Sequence, residues 1–240
     1  MAENEIAGDV VIVGGGPAGI AAAVAATRRG RRVVLVDENH APGGQIWRGE
    51  ATAPNSAGAA LWFRKLQQKN VLLVNGARVA AHPENGLLLA ETPDGARHVR
   101  YRRLLLATGA RELFLPFPGW TLPNVMGAGG LQALVKGGLP IAGQRVVVAG
   151  TGPLLLAVAA YLKKCGAEIV CLAEQAARGR VWRLGASLWR EPGKLRQALG
   201  LWRDLKDLQT LYGAWPVRAE GTSQLETVVL RQGRTEWRVE

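Results

Sequence analysis

Gly14, Gly16 and Gly19 stand at the spacing Gly-x-Gly-x-x-Gly in the run Gly14-Gly15-Gly16-Pro17-Ala18-Gly19. The run follows residues 9–13, apolar and β-branched, and precedes the alanine-rich residues 20–29. That order predicts a turn from a buried parallel strand into a helix. The first glycine permits the tight turn, the second lets the backbone approach a pyrophosphate, and the third lets helix and strand pack closely. Exposed N–H groups and the helix dipole then receive the phosphate charge. Asp37, with Glu38 beside it, ends the next predicted strand at 32–36, where a carboxylate can hydrogen-bond ribose hydroxyls. Strand, loop, helix and acid together specify a nucleotide site. The alternative is a glycine-rich turn in an unrelated α/β fold.

A second glycine turn, Gly150-Thr151-Gly152, lies between a predicted strand at 145–149 and a predicted helix at 154–165. The next strand, 168–173, ends at Glu174, about where a second ribose acid would stand. Here the third glycine position is Leu155, whose side chain should push helix and strand apart or shift the loop from the phosphate path. The unit is therefore shaped like an NAD(P) domain, and Leu155 argues against a bound nicotinamide; NAD(P) stays open as a second cofactor.

Other reactive side chains supply little. Cys165 and Cys171 are too far apart for a CxxC redox pair and too few for a disulfide framework. Cys165 falls at a helix end and Cys171 in a buried strand, which reads as inert structural thiols. His40, His82 and His98 have no metal-ligand spacing, so no metal site is expected. No serine–histidine–acid set or paired carboxylates can be recognised, and no catalytic side chain is identified.

The elements positioning these residues repeat. Gly30 closes the first helix, with arginines 28, 29, 31 and 32 at its carbonyl end. A helix is expected over 60–69. Short strands at 71–74, 78–81, 87–91 and 98–101 follow, separated by the turns His82-Pro83-Glu84-Asn85-Gly86 and Pro93-Asp94-Gly95, and read as an antiparallel meander. A strand at 103–107 ends in Thr108-Gly109-Ala110. The proline-rich residues 115–123 read as an unpacked crossover. The second βαβ unit follows. Leu195, Leu199, Trp202, Leu205 and Leu208 then recur at helical spacing before a hairpin, 227–230 and 235–239, turned by Gln232-Gly233. The expected fold is α/β, with two Rossmann-like dinucleotide-binding units, each with a β-meander: residues 1–115, then 116–240.

Composition narrows the class. Of 240 residues, 48% are hydrophobic and 20% charged, the balance of a globular protein. The longest apolar run, 154–162, falls far short of the roughly 18–20 residues that span a bilayer. The first residues, Met1-Ala2-Glu3-Asn4-Glu5, carry no basic or cleavable apolar segment, so a cytoplasmic protein is expected. The formal charge of +11 is concentrated in part between residues 178 and 206, where Trp182, Trp189 and Trp202 interleave with arginines. That stretch reads as a solvated basic face, with a partner surface as the alternative. No nucleic-acid motif accompanies it, so nucleic acid is not an expected partner.

Residues 10–19, Asp37-Glu38, Pro42-Gly43-Gly44-Gln45 and Ala107-Thr108-Gly109-Ala110-Arg111-Glu112 resemble flavoproteins of the pyridine nucleotide-disulfide oxidoreductase type. Over 105–133, with Pro116-Phe117-Pro118-Gly119-Trp120, the chain is similar to the branch holding the FAD subunits of hydrogen cyanide synthase and opine oxidase and the alpha subunit of sarcosine oxidase. The resemblance runs over nearly the whole chain. It implies FAD, an FAD-type unit followed by an inserted NAD(P)-type unit, and a set of cofactor contacts. Gly14, Gly15, Gly16, Pro17, Ala18 and Gly19 would hold the pyrophosphate, and Asp37 or Glu38 the adenosine ribose. Gly44 and Gln45 would approach the ribityl chain and flavin, and Val79 would give a backbone contact to adenine. Ala107, Thr108 and Gly109 would close over the cofactor. Gly150, Gly152 and Glu174 would mark a second nucleotide.

The same resemblance implies an FAD-dependent dehydrogenase that oxidises an amine or amino-acid-like substrate as one member of a hetero-oligomer. The other members it implies are an electron-transfer partner and a partner flavoprotein subunit, which would oxidise the C–N bond while this subunit passes the electrons onward. The chain departs from the disulfide reductases in lacking a CxxC against the flavin. It also departs in ending at Glu240 without the return segment that adds the last FAD contacts, so it is expected to be C-terminally truncated. Two other readings stay open: an NAD(P)H-dependent flavoprotein reductase, and an inactive truncated scaffold.

Overall fold

The computed structural model describes residues 4–52, 54, 56–67 and 69–240. Met1, Ala2 and Glu3, and Gln68 within the predicted 60–69 helix, lie outside them. The chain divides into two units, Met1–Arg111 and Glu112–Glu240.

In the first unit β1 (Glu5–Val13) leads into α1 (Pro17–Thr27) and β2 (Val33–Asp37). α2 (Ala57–Gln67) and β3 (Val71–Asn75) follow, then β4 (Arg78–Glu84), β5 (Leu87–Thr92) and β6 (Gly95–Leu106). The six strands form one sheet in the order β3-β2-β1-β6-β5-β4. Successive residues of β1 serve opposite faces, as a pleated strand requires. Ile12 packs with Ile20, Val24, Leu35 and Phe63 beneath the helices, while Val11 packs with Val34, Val36, Leu88 and Val99 on the other side. β2 is buried along its whole length, so its last residue, Asp37, is carried to the sheet's edge inside the fold.

Three expectations for this unit need correction. The strand predicted at 71–74 is not part of the meander: β3 pairs in parallel with β2, completing a three-strand Rossmann ladder. The strands predicted at 98–101 and 103–107 are one, because β6 changes partner rather than breaking. It runs antiparallel to β5 from Gly95 to Arg100 and parallel to β1 from His98 to Leu106. His82, Pro83 and Glu84 belong to β4, where the register shifts between Ala81 and Glu84; a bulge accommodates a residue that cannot donate to the ladder.

The second unit contains α3 (Ala128–Lys136), β7 (Arg145–Gly150), α4 (Pro153–Lys164), β8 (Glu168–Glu174) and α5 (Arg178–Ser187). A 3₁₀ turn (Leu188–Arg190) leads to α6 (Pro192–Leu205). β9 (Thr210–Tyr212), β10 (Ala214–Glu220), β11 (Thr227–Gln232) and β12 (Thr235–Val239) complete it. β7, β8 and β9 form a parallel sheet, and β10, β11 and β12 an antiparallel one. The fold is thus α/β with two Rossmann-like units, each carrying a meander. The hairpin turn sits one residue later than expected, because Gln232 still pairs with Thr235.

Residues 115–123 form no helix or strand and are mostly exposed, as expected of a crossover, but they make specific contacts. Phe114 meets Phe117 and Trp120, with ring centroids 6.2 and 5.6 Å apart. The Ala219 N–H donates to the Pro118 carbonyl at 2.9 Å. The basic stretch 178–206 forms α5, the 3₁₀ turn and α6, and leaves Trp182, Trp189 and Trp202 each about two-thirds exposed.

The tightest requirement lies where α1 meets the first turn. A Cβ on Gly19 would fall on the Gly14 carbonyl oxygen, and one on Gly14, which also has φ +107°, would fall on the Ala107 carbonyl. Gly19→Ala is therefore expected to lift α1 from the turn and lower stability by about 1–3 kcal/mol, the range for overpacking a close contact. Chemical denaturation followed by circular dichroism measures it. Unchanged stability would contradict this packing.

Candidate functional site

The site forms at the C-terminal end of the parallel strands, where β1, β2 and β6 deliver their next residues. Gly14 N–H donates to the Val36 carbonyl at 2.8 Å, and Ala107 N–H to the Val13 carbonyl at 2.7 Å. A Cβ on Gly14 would also lie 3.0 Å from the Thr108 nitrogen, so Ala107 and Thr108 are laid directly against the glycine turn.

The loop after β2 docks on the same turn. Gly43 N–H donates to the Gly15 carbonyl at 2.7 Å. A Cβ on Gly44 would come within 2.9 Å of Gly16 Cα. Gly43 and Gly44 both have positive φ, 136° and 58°, which favours glycine. Trp47 anchors the loop, its N–H donating to the Gly43 carbonyl and its ring lying 5.9 Å from that of Phe63 on α2.

Asp37 closes the arrangement. It is only 6% exposed. Its Oδ2 accepts the Gly15 N–H, and its Oδ1 accepts both the backbone N–H and the side-chain amide of Asn39 at 2.8 Å. A carboxylate offers about four acceptor sites, so three donors leave one for a ligand hydroxyl. Asn39 was not anticipated from sequence; the available signal was an asparagine two residues after the acid, the spacing of a local side-chain-to-backbone turn.

Asp37 engages the middle glycine and so leaves the helix start open. Among the described residues the N–H groups of Gly16, Ala18 and Gly19 have no acceptor, while Ile20 N–H returns to the Gly16 carbonyl. Pro17 has no N–H, and as the first helical residue it needs none. Three amides at a helix N-terminus, with glycine wherever a side chain would fill the space, fit the pyrophosphate of a dinucleotide.

The other sequence-predicted residues are placed more loosely. The Ala77 N–H donates to the Asp37 carbonyl at 2.9 Å, which sets Val79 two residues farther along β4. Gln45 is exposed beside Gly44. Glu38 points outward and pairs with Arg111 at 3.2 Å. Gly109 has φ +72° with nothing close to it. Asp37, not Glu38, is the acid built into the turn.

The second turn is built alike and closes differently. The Glu174 carboxylate, 7% exposed, accepts the Thr151 hydroxyl at 2.8 Å, the Ala176 N–H at 2.8 Å and the Gly152 N–H at 3.1 Å. One methylene longer than aspartate, it engages the second glycine's amide rather than the middle residue's. The Leu155 N–H turns back to the Gly152 carbonyl at 3.1 Å and Pro153 has none, so among the described residues the Thr151 and Leu154 amides are left without an acceptor. The Leu155 side chain is buried in the core, with Cδ1 3.4 Å from where a Gly150 Cβ would stand. The second turn does not fit a pyrophosphate as the first does.

Burial in β8 pushes the Cys171 thiol up, away from thiolate reactivity. Cys165 caps α4 half-buried beside Tyr161, whose hydroxyl is held above its usual range first by burial and then by that contact. His82 Nε2 lies 2.6 Å from the Tyr101 hydroxyl. Among the described residues, no group of three His, Cys, Asp or Glu side chains could hold a metal ion, and no helix is long and apolar enough to cross a membrane.

Paired Rossmann-like units with acid-closed glycine turns define a chain of dinucleotide-binding architecture. The family comparison agrees: residues 8–182 match pyridine nucleotide-disulphide oxidoreductase, and the chain belongs to that family. It is 36% identical over 241 residues to hydrogen cyanide synthase subunit HcnB of Pseudomonas aeruginosa, covering 95% of this chain and 52% of the relative. It is 37% identical over 183 residues to an opine oxidase subunit of Rhizobium meliloti, covering 72% of this chain and 40% of the relative. The chain spans about half the length or less of these curated relatives. In fold it is similar to L-proline dehydrogenase from P. horikoshii, at TM-score 0.67 and 19% identity over 99% of this chain and 41% of that one. T. acidophilum thioredoxin reductase gives the same TM-score and identity over 97% and 74%.

Asp37→Asn sets an amide NH₂ against at least one of the donors that Asp37 accepts. It is expected to lower stability by about 1–3 kcal/mol, the penalty for a buried donor left unsatisfied. Denaturant titration checks it, and a variant as stable as the parent would contradict the closure described for this turn.

Proposed function

We propose that the first unit holds FAD by its ADP half. On this reading the protein serves as one subunit of an oxidoreductase that takes electrons from an amine or amino-acid-like substrate. The observation that carries this reading is the set of free amides of Gly16, Ala18 and Gly19 around a turn closed by Asp37. On this reading Gly14 to Gly19 bind the pyrophosphate and Asp37 the adenosine ribose. The loop of Gly44 and Gln45 lies toward the ribityl chain, Val79 offers backbone to adenine, and Ala107, Thr108 and Gly109 cover the cofactor. Glu38, paired with Arg111, does not share the role of Asp37.

The substrate class and assembly rest on the relatives. The hydrogen cyanide synthase and opine oxidase relatives are both named as subunits. We read this chain likewise as working in the cytoplasm beside an electron-transfer partner and a partner flavoprotein subunit. FAD, when bound, would supply two-electron chemistry, relaying onward the pair that the partner flavoprotein subunit takes as it oxidises a C–N bond. The residues on this chain bind and orient; no side chain among those described is assigned to proton transfer.

The NAD(P)H-reductase reading is disfavoured because the Gly152 amide is taken by Glu174 and the Leu155 amide by the Gly152 carbonyl, two donors that a second pyrophosphate would need. The scaffold reading is disfavoured because the first turn keeps its amides open. Steady-state dye reduction by the assembled complex, with a panel of amines, amino acids and imino acids, tests the proposal. Turnover with at least one of them is expected. Reduction by NADH or NADPH alone, with none of the organic substrates active, would overturn it.

A further inference from the structure

Among the described residues, two buried side-chain polar atoms have no hydrogen-bond partner: Arg48 Nε and Asn75 Oδ1. Both flank Asp37. Asn75 ends β3 directly across from Asp37 in the parallel ladder. Arg48 reaches Asp37 through one intermediary, its Nη2 donating to Asn39 Oδ1 at 3.2 Å while Asn39 Nδ2 donates to Asp37 Oδ1 at 2.8 Å. Elsewhere in the described residues buried polar side-chain atoms are satisfied, so these two exceptions, one across the ladder from Asp37 and one linked to it through Asn39, need a reason.

The physical chemistry of each orphan is specific. Arg48 carries a permanent charge, and among the described residues its guanidinium meets one neutral amide oxygen and no carboxylate. A partly buried cation without a counter-ion is unfavourable, and its planar donors match phosphate oxygens. Arg48 also belongs to the loop that Gly43 fastens onto the glycine turn. Asn75 Oδ1 is the opposite kind of group, an acceptor awaiting a donor.

We propose that Arg48 and Asn75 complete the ADP site on either side of Asp37. Arg48 donates to a phosphate oxygen, and Asn75 accepts from the adenosine, through a ribose hydroxyl or the adenine amino group. The inference rests on the FAD reading of the first unit and adds two ligand residues to it. The competing reading is that water fills both positions and the side chains only support Asn39 and the end of β3.

Calorimetric titration of the whole chain with ADP and with adenosine, plus thermal unfolding without ligand, separates the readings. Arg48→Met removes charge and donors at similar length, and Asn75→Leu removes the acceptor at similar volume. For Arg48→Met the expected result is an unliganded melting temperature equal to or above the parent's, since an unpaired charge has been removed. Its ADP affinity should fall about tenfold or more, with adenosine affinity unchanged. For Asn75→Leu, ADP and adenosine should weaken by the same factor. The assignment is overturned if Arg48→Met lowers the unliganded melting temperature with ADP affinity intact, or weakens both ligands equally. Unchanged affinities in Asn75→Leu overturn its half. A parent chain that binds neither ADP nor adenosine would defeat the FAD reading itself, an outcome distinct from parent binding with variants that match it.

Discussion

Helix α1 can offer amides to an anion only because Gly19 has no Cβ. The Gly14 carbonyl occupies the place a side chain would take, so the helix start rests directly on the end of β1. Everything else at this end of the sheet follows from that approach. Ala107 is drawn against Gly14, and the Gly43-Gly44 loop stacks on Gly15 and Gly16. Asp37, arriving on a fully buried strand, can then reach a backbone N–H that would otherwise be solvated. A carboxylate placed there contributes to holding the turn while its remaining lone pair faces outward.

The second unit repeats the scheme with two substitutions, and they change the outcome. Leucine in place of the third glycine gains core packing, since Leu155 joins Val158, Leu162 and Leu172. It also places a side chain over Gly150. Glutamate in place of aspartate extends the carboxylate to the Gly152 amide and the Thr151 hydroxyl. Each acid also accepts the N–H two residues ahead, at Asn39 and at Ala176. The turns therefore share a hydrogen-bonding plan, but the first leaves the amides of Gly16, Ala18 and Gly19 open at its helix start, whereas the second has its Gly152 and Leu155 amides engaged. The same architecture thus presents different donors in its two copies, and function resides in the site rather than in the fold.

Much of this was legible in the sequence where the signal is local. The glycine spacing, the apolar strands on either side and an acid ending the second strand specify a turn whatever surrounds them. Other features depend on partners distant in the chain. Nothing in residues 71–74 distinguishes a parallel from an antiparallel neighbour, and only the place of β3 after α2 brings it beside β2. β6 reads as two strands because its mixed, alternating first part gives way after Arg102 and Arg103 to the apolar Leu104-Leu105-Leu106, yet it continues by exchanging β5 for β1. α3 was missed because its start, Gly127-Ala128-Gly129-Gly130, offers no local cap; Glu112 supplies one from sixteen residues upstream, accepting the Ala128 and Gly129 N–H groups at 2.9 Å each. Arg48 and Asn75 carry no motif, and their relation to Asp37 exists only once β2, β3 and the intervening loop are in register.

Whether the first turn holds FAD is read from the visible absorption spectrum of the purified chain, with release and identification of any bound flavin. The bands of oxidised flavin and release of FAD on denaturation are expected. A protein that is colourless as purified, and stays so after FAD is added and the excess removed, would contradict FAD binding at this turn.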